Sequence, residues 1–209
     1  MIDSIIFDLD GTLWDTTHIG ARTWSEAASN HQIQNNVTAD QLKGLYGLPT
    51  DIIARKLFPN ATEELLQAIM RESNEKECKY LAKDGGILFP KLLETLTELK
   101  KNYQLFIVSN CEDGYIQSFI EGNKLEGYFK DFECPGRTRQ SKADNIRIIM
   151  NRNQLENPIY VGDTALDAAS SKEAGIPFVY ARYGFGKVEK FDYAIDSLDE
   201  LNQLSLLKI

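Results

Sequence analysis

Short apolar runs alternate with helical stretches along most of this chain. "IIF" within residues 4–8, "LFIV" within 104–109 and "IYV" within 158–162 are continuous rather than alternating, the pattern of parallel strands covered on both faces. Residues 176–180 read as a fourth strand, and 132–134 and 193–195 as two weaker ones. Between these runs, Leu92, Leu93, Leu96 and Leu99 recur at helical spacing, as do Ala143, Ile146, Ile149 and Met150. A further helix over 165–174 stops at Gly175, where a glycine closes a helix well. Strand–helix alternation predicts an open, doubly wound α/β sheet whose ligands bind at the carboxyl ends of its strands.

The alternation breaks once. From Asp15 to about Lys83 there is no strand-like run, only helical segments over 16–29, 39–45, 50–57 and 62–82. A stretch of about seventy residues is far too long for a simple connection. The chain is therefore expected to hold an α/β core domain, residues 1–14 and 86–209, with a small all-helical domain, residues 15–85, inserted after the first strand. "KDGG" (83–86) and the segment after Leu13 would be its two linkers.

Composition agrees with a soluble globular protein: 209 residues, 43% hydrophobic and 26% charged. No apolar run reaches bilayer-spanning length, and Met1 leads straight into the first strand with no signal-peptide pattern. Cys78, Cys111 and Cys134 are an odd number without metal-ligand spacing, read most simply as reduced thiols of a cytoplasmic protein. A net charge of −8 argues against nucleic acid or an anionic membrane as partner. It does not exclude a small anionic substrate, which responds to local potential. Arg137, Arg139, Lys142 and Arg147 lie close together with one acid, Asp144, among them; a solvated basic loop and an anion site both fit.

The chemistry gathers at strand ends. Asp8 and Asp10 close the first strand, Ser109 and Asn110 the second, and Gly162 and Asp163 end "IYVGD", with Asp167 one helical turn later. Lys142 starts the helix before that strand, with Ser141 as its N-cap. Taken alone, Asp163, Thr164 and Asp167 read equally well as a helix cap. Together, four carboxylates at one sheet edge cannot stay ionised without a strong cation. A hard divalent ion with oxygen ligands, Mg²⁺ by preference, meets that need and leaves room for phosphate. One carboxylate is then free to attack a phosphoryl group.

"FDLDGTLWDT", "IVSN", Lys142 and "GDTALDAASSKEAG" resemble, in order, the four motifs of the haloacid dehalogenase (HAD) superfamily. The insert after the first motif resembles the cap of the phosphoglycolate phosphatase-like and β-phosphoglucomutase-like subgroup. The resemblance implies Asp8 as nucleophile and Asp10 as general acid and then base. It implies Mg²⁺ held by Asp8, the Asp10 carbonyl and Asp163, with Asp167 assisting. Ser109 and Lys142 would hold the phosphoryl oxygens, with Leu9 and Asn110 also at the phosphate and Arg137 or Arg139 able to share the task of Lys142.

The activity expected on this basis is hydrolysis of a small phosphorylated metabolite, by a monomer or homodimer. A dehalogenase would lack the acid at Asp10. A sugar phosphomutase of the β-phosphoglucomutase type is the alternative, but that enzyme carries a histidine where this chain has Gly20, and two acids where it has Gly162-Asp163; His18 lies nearby. A receiver-like or non-catalytic phosphate-binding regulator is the other alternative. "GLYGLPTD" (44–51), around Gly47, resembles the specificity loop of this cap type or forms a plain helix connector. Arg22, Lys43 and Arg55 are candidate anion contacts from the insert.

Overall fold

The computed structural model describes residues 2–204. From the amino end the elements are β1 (Ser4–Phe7), β2 (Trp14–Asp15), α1 (Thr17–Asn30), α2 (Ala39–Lys43), α3 (Thr50–Leu57) and α4 (Glu63–Asp84). The chain continues with β3 (Ile87–Leu88), α5 (Leu92–Leu99), β4 (Gln104–Val108), α6 (Tyr115–Gly122), β5 (Asp131–Glu133) and α7 (Pro135–Thr138). It closes with α8 (Lys142–Asn153), β6 (Pro158–Gly162), α9 (Ala165–Ala174), β7 (Phe178–Ala181), β8 (Tyr193–Ile195) and a 3₁₀ turn, Leu198–Gln203.

Six strands form one sheet in the order β5-β4-β1-β6-β7-β8, and every pairing is parallel. The winding reverses between β1 and β6, so the crevice of a doubly wound sheet opens at the carboxyl ends of these two strands. Their continuous apolar runs divide between the two faces. Ile5, Phe7, Leu105, Ile107, Ile159 and Val161 pack with α5 and α6. Ile6, Phe106, Val108, Tyr160 and Phe178 pack with α8. Each side chain is buried on its own side, which is why no polar alternation shows in the sequence.

Helices α1 to α4 bury a cluster of their own, including Trp24, Leu42, Ile53, Phe58, Leu66 and Ile69. Leu66, Met70, Ser73, Glu77 and Leu81 run along one face of α4, and Leu81 carries that face into the sheet-side core with Trp14 and Phe119. The segment after Leu13, expected as one linker, forms β2; of "KDGG" (83–86), expected as the other, Lys83 and Asp84 still belong to α4, and β3 begins just beyond it. β2 and β3 form an antiparallel ribbon with Trp14 opposite Leu88 and Asp15 opposite Ile87, a feature too short to leave an alternating pattern.

Boundaries shift for local reasons. α2 stops at Lys43 rather than at 45, where the Leu45 N–H turns to the Leu42 carbonyl three residues back (2.9 Å) instead of continuing the four-residue helical pattern. β7 starts at Phe178 rather than at 176: the Ile176 N–H closes α9 on the Ser171 carbonyl, 3.0 Å away, and Pro177 has no N–H for the ladder. Helix α6 was not expected from the sequence at all.

Candidate active site

The Asp8 N–H still extends the ladder, donating to the Val161 carbonyl at 2.9 Å, and then the chain turns sharply. The Leu9 carbonyl accepts from the N–H groups of Thr12 (3.0 Å) and Leu13 (2.8 Å). Gly11 takes φ +78, and a Cβ there would lie 2.3 Å from Asp163 Oδ2, so both its backbone and the space beside it require glycine. The turn carries Asp10 back to the same edge as Asp8. Asp10 Oδ1 accepts from the Tyr115 hydroxyl (2.8 Å) and from Thr16 Oγ1 (3.1 Å).

Asp163 follows β6 and is fully buried. Its Oδ2 accepts the N–H groups of Phe185 (2.7 Å) and Gly186 (3.2 Å), and its Oδ1 accepts from Thr12 Oγ1 (3.3 Å). Asp167 is indeed part of a helix cap. Its Oδ2 accepts from the Thr164 N–H (2.9 Å) and hydroxyl (2.6 Å), and its own N–H donates back to Thr164 Oγ1. Its other oxygen accepts from Lys142 Nζ at 2.6 Å, so one carboxylate serves both the cap and the cleft. Lys142, the first residue of α8 behind the Ser141 cap, is buried and also donates to Asp8 Oδ1 at 2.9 Å. Ser109, just past the end of β4, is buried beside Asp8 and favours its ionised form.

Oxygens of Asp8, Asp163 and Asp167 lie within 4.8 Å of one another. Burial raises Asp8 to about 6, against the lowering pull of Lys142 and with a further push from Asp167. Asp163 is held well above the ordinary carboxylate range by burial and then by Asp167 and Asp8. Asp10 is raised to about 7 by burial and by the charge of Asp8, although Tyr115 and Thr16 favour its ionised form. Burial alone would lower Lys142; Asp167 and Asp8 outweigh it, and the ammonium titrates above its usual value. One ammonium thus faces a crowded set of carboxylates that resist ionisation together. Their all-oxygen donor chemistry and spacing suit a divalent metal ion.

The structure therefore brings Asp8, Asp10, Ser109, Lys142, Asp163 and Asp167 to one edge. Asn110 Nδ2 donates to the Gly47 carbonyl at 2.9 Å, and Gly47 in turn packs on Thr164, so both belong to the seam between the inserted helices and the sheet. The Leu9 side chain is buried in the core, leaving only its backbone at this edge. Arg22 is not brought to the site: it faces solvent, paired with Glu26 at 2.7 Å and lying over the Tyr80 ring. Lys43 and Arg55 pair with Asp15 and Glu63. Arg137 lies over Phe132, Arg139 is exposed, and Arg147 pairs with Asp144 and Glu173. His18 is exposed as well. Of the basic group at 137–147, only Lys142 turns inward. Cys78, Cys111 and Cys134 are free thiols.

Sequence reading missed Thr12, Thr16, Tyr46, Glu77 and Tyr115, and the backbone donors at Phe185 and Gly186. Only the last left a signal, the closely spaced Gly184 and Gly186 after β7. Next to Asp10 a cavity of about 50 Å³ lies between the inserted helices and the sheet edge, with Tyr46, Glu77, Asn110 and Tyr115 among its walls.

Residues 5–181 match the model of the haloacid dehalogenase-like hydrolases. The chain belongs to this family. This HAD-like hydrolase is 27% identical to a phosphoglycolate phosphatase of Aquifex aeolicus, over 88% of its own chain and 86% of that protein. It is 26% identical to a phosphoglycolate phosphatase of Rhodobacter capsulatus, over 90% and 87%. Its fold matches a haloacid dehalogenase-like family protein of Streptococcus pneumoniae with TM-score 0.82 at 23% identity, covering 97% of both chains. Among the described residues no helix is long and apolar enough to cross a membrane.

Proposed function

We propose that this HAD-like hydrolase is a Mg²⁺-dependent phosphatase of small phosphorylated metabolites that works through an aspartyl-phosphate on Asp8. The observation that carries this reading is the single ammonium of Lys142 shared between Asp8 and Asp167 (2.9 and 2.6 Å), with Asp163 and Asp10 beside them. Asp8, Asp163 and the Asp10 carbonyl would hold the metal, with Asp167 assisting; the bound ion would supply charge neutralisation for an anionic substrate.

The chain's own groups then divide the work. The Asp8 carboxylate attacks phosphorus in line as the bond to the leaving oxygen breaks, and Asp10 delivers its proton to that oxygen. Water next attacks the phosphorus of the acyl-phosphate, Asp10 takes its proton, and phosphate leaves with Asp8 restored. A general acid titrating near neutrality suits this double task. Ser109 and Lys142 would hold the phosphoryl oxygens, since Lys142 already hydrogen-bonds Asp8 and Ser109 lies beside it. Asn110 would join them by releasing the Gly47 carbonyl, and Leu9 would contribute only its backbone.

Residues 15–85 act in this reading as a cap domain and residues 1–14 and 86–209 as the core. The separate apolar cluster of α1–α4 and the paired ribbon at their base support that division. A cavity of about 50 Å³ is far below the roughly 300–1,000 Å³ of ligand pockets, so the cap must open to admit even a small ester. The phosphomutase alternative is disfavoured at Gly20, where a side chain's first carbon would fall 2.2 Å from the Tyr46 hydroxyl. A histidine there would have to displace the Tyr46 side chain. Phosphate release from p-nitrophenyl phosphate and a panel of metabolites tests the reading: turnover that needs Mg²⁺ and is lost in Asp8→Asn supports it. Self-phosphorylation without turnover would instead indicate a receiver-like regulator.

A further inference from the structure

One buried acid takes no part in the chemistry above. Glu77, on the inward face of α4, is 7% exposed and lines the cavity beside Asp10. Its Oε1 accepts from the Tyr46 hydroxyl at 3.3 Å. Among the described residues its second oxygen takes no hydrogen bond, and no basic side chain pairs with it. Thr16 hydrogen-bonds both Tyr115 and Asp10, and Tyr46, Glu77, Tyr115 and Asp10 line the same cavity, so the Glu77–Tyr46 pair lies beside the acid that would protonate the leaving group.

The surroundings are arranged for this pair. A Cβ at Gly20 would lie 2.2 Å from Tyr46 Oη and 3.2 Å from Glu77 Oε1; the bare backbone of α1 is what lets them meet. The ionisable carboxyls on the cavity wall are Asp10, Glu77 and Glu112, and among the described residues no lysine, arginine or histidine lines it. Lys76, next along α4, points into ion pairs with Glu26 and Glu72.

Resting on the phosphatase reading, we propose that Glu77 and Tyr46 form the leaving-group subsite, and that it selects a phosphomonoester whose alcohol bears hydroxyl groups and no negative charge. A carboxylate entering this cavity finds no cation among the lining residues to offset it, and a charge taken out of water without a partner is strongly disfavoured. A hydroxyl finds both a donor and an acceptor. Burial, and then the charge of Asp10, raise Glu77 to about 8, so near neutral pH its carboxyl keeps a proton to donate to a sugar or polyol oxygen. The inference separates this chain from its named relatives, whose substrate carries a carboxylate.

The test compares kcat/KM for glycerol phosphate, hexose phosphates, phosphoethanolamine and phosphoglycolate, with p-nitrophenyl phosphate as reference, in the wild type, Glu77→Met and Tyr46→Phe. The expected result is a preference for the polyol and sugar esters over phosphoglycolate of roughly 10–100-fold. Glu77→Met, which keeps the bulk but neither donates nor accepts, should shrink that ratio by roughly tenfold, the worth of one hydrogen bond; Tyr46→Phe should shrink it in the same direction and serves as the second variant where the first fails to fold. A merely structural role would lower all esters together and leave the ratio unmoved, which overturns the proposal. Phosphoglycolate turned over as well as the sugar esters, or phosphoethanolamine preferred over them, overturns it too. Absence of turnover on every ester, p-nitrophenyl phosphate included, overturns the phosphatase reading itself.

Discussion

Replacing Lys142 by methionine keeps a long, unbranched side chain in the α8 cap position but removes the only charge between Asp8 and Asp167. At 2.9 and 2.6 Å, each ion pair has a gross Coulomb energy of ~6 kcal/mol at an effective dielectric of about 20. Desolvation of all three groups offsets most of this, and breaking a buried pair by deleting one partner costs about 3–5 kcal/mol net. The loss should depend on pH in a defined direction. Lys142 titrates above its usual value, so its charge is constant from pH 5 to 8. Asp8, already raised to about 6 with the ammonium present, rises further without it. At pH 8 the variant therefore breaks the pairs to both Asp8 and Asp167, whereas at pH 5 Asp8 takes up a proton, only the Asp167 pair is lost as an ion pair, and the deficit shrinks. Urea unfolding in EDTA at both pH values, followed by circular dichroism, measures it. A deficit below about 1 kcal/mol at pH 8, the value of an exposed pair, or an equal deficit at both pH values, would refute the reasoning.

Asp10→Asn should slow hydrolysis of alkyl phosphates by roughly 10²–10⁴-fold and of p-nitrophenyl phosphate much less, because only a poor leaving group needs the proton. For the same reason the wild-type rate on alkyl esters should fall as pH rises past the Asp10 value of about 7, while the p-nitrophenyl ester stays nearly flat; parallel pH profiles for both esters would count against the assignment. Glu77 carries a folded-state value of about 8 against an ordinary 4.5, so the folded chain binds the extra proton and stability should decline as pH climbs between those limits. Thermal melts of Glu77→Gln should show a shallower decline across that window. Gly11→Ala combines positive φ with a Cβ 2.3 Å from Asp163, and should lower stability by about 1–3 kcal/mol and weaken Mg²⁺ binding, measured by calorimetric titration.

What the sequence reveals here follows from how local each cause is. Asp8, Asp163 and the doubly wound parallel sheet are legible because continuous apolar strands alternate with helices, and such a sheet gathers its strand ends. Lys142 is legible as a helix start, but its inward turn depends on the rotation of α8. Arg22 shows the reverse: its type suits an anion, yet α1 presents it to solvent beside Glu26 and Tyr80. Glu77 lies in "RESNEKECKY", where charge on all sides masks the narrow buried face that only packing against α1 defines. Tyr115 is hidden because "YIQSFI" follows an Asp-Gly turn signal. The β2–β3 ribbon joins residues too distant in sequence, and too few, to register as a pattern.

The direct test of the central claim is to quench the enzyme during turnover and analyse the peptide containing Asp8 by mass spectrometry. A phosphoryl group on Asp8, removed by hydroxylamine and absent from Asp8→Asn, is the predicted result. Phosphate produced with no modified peptide at any quench time, or modification confined to another residue, would contradict it.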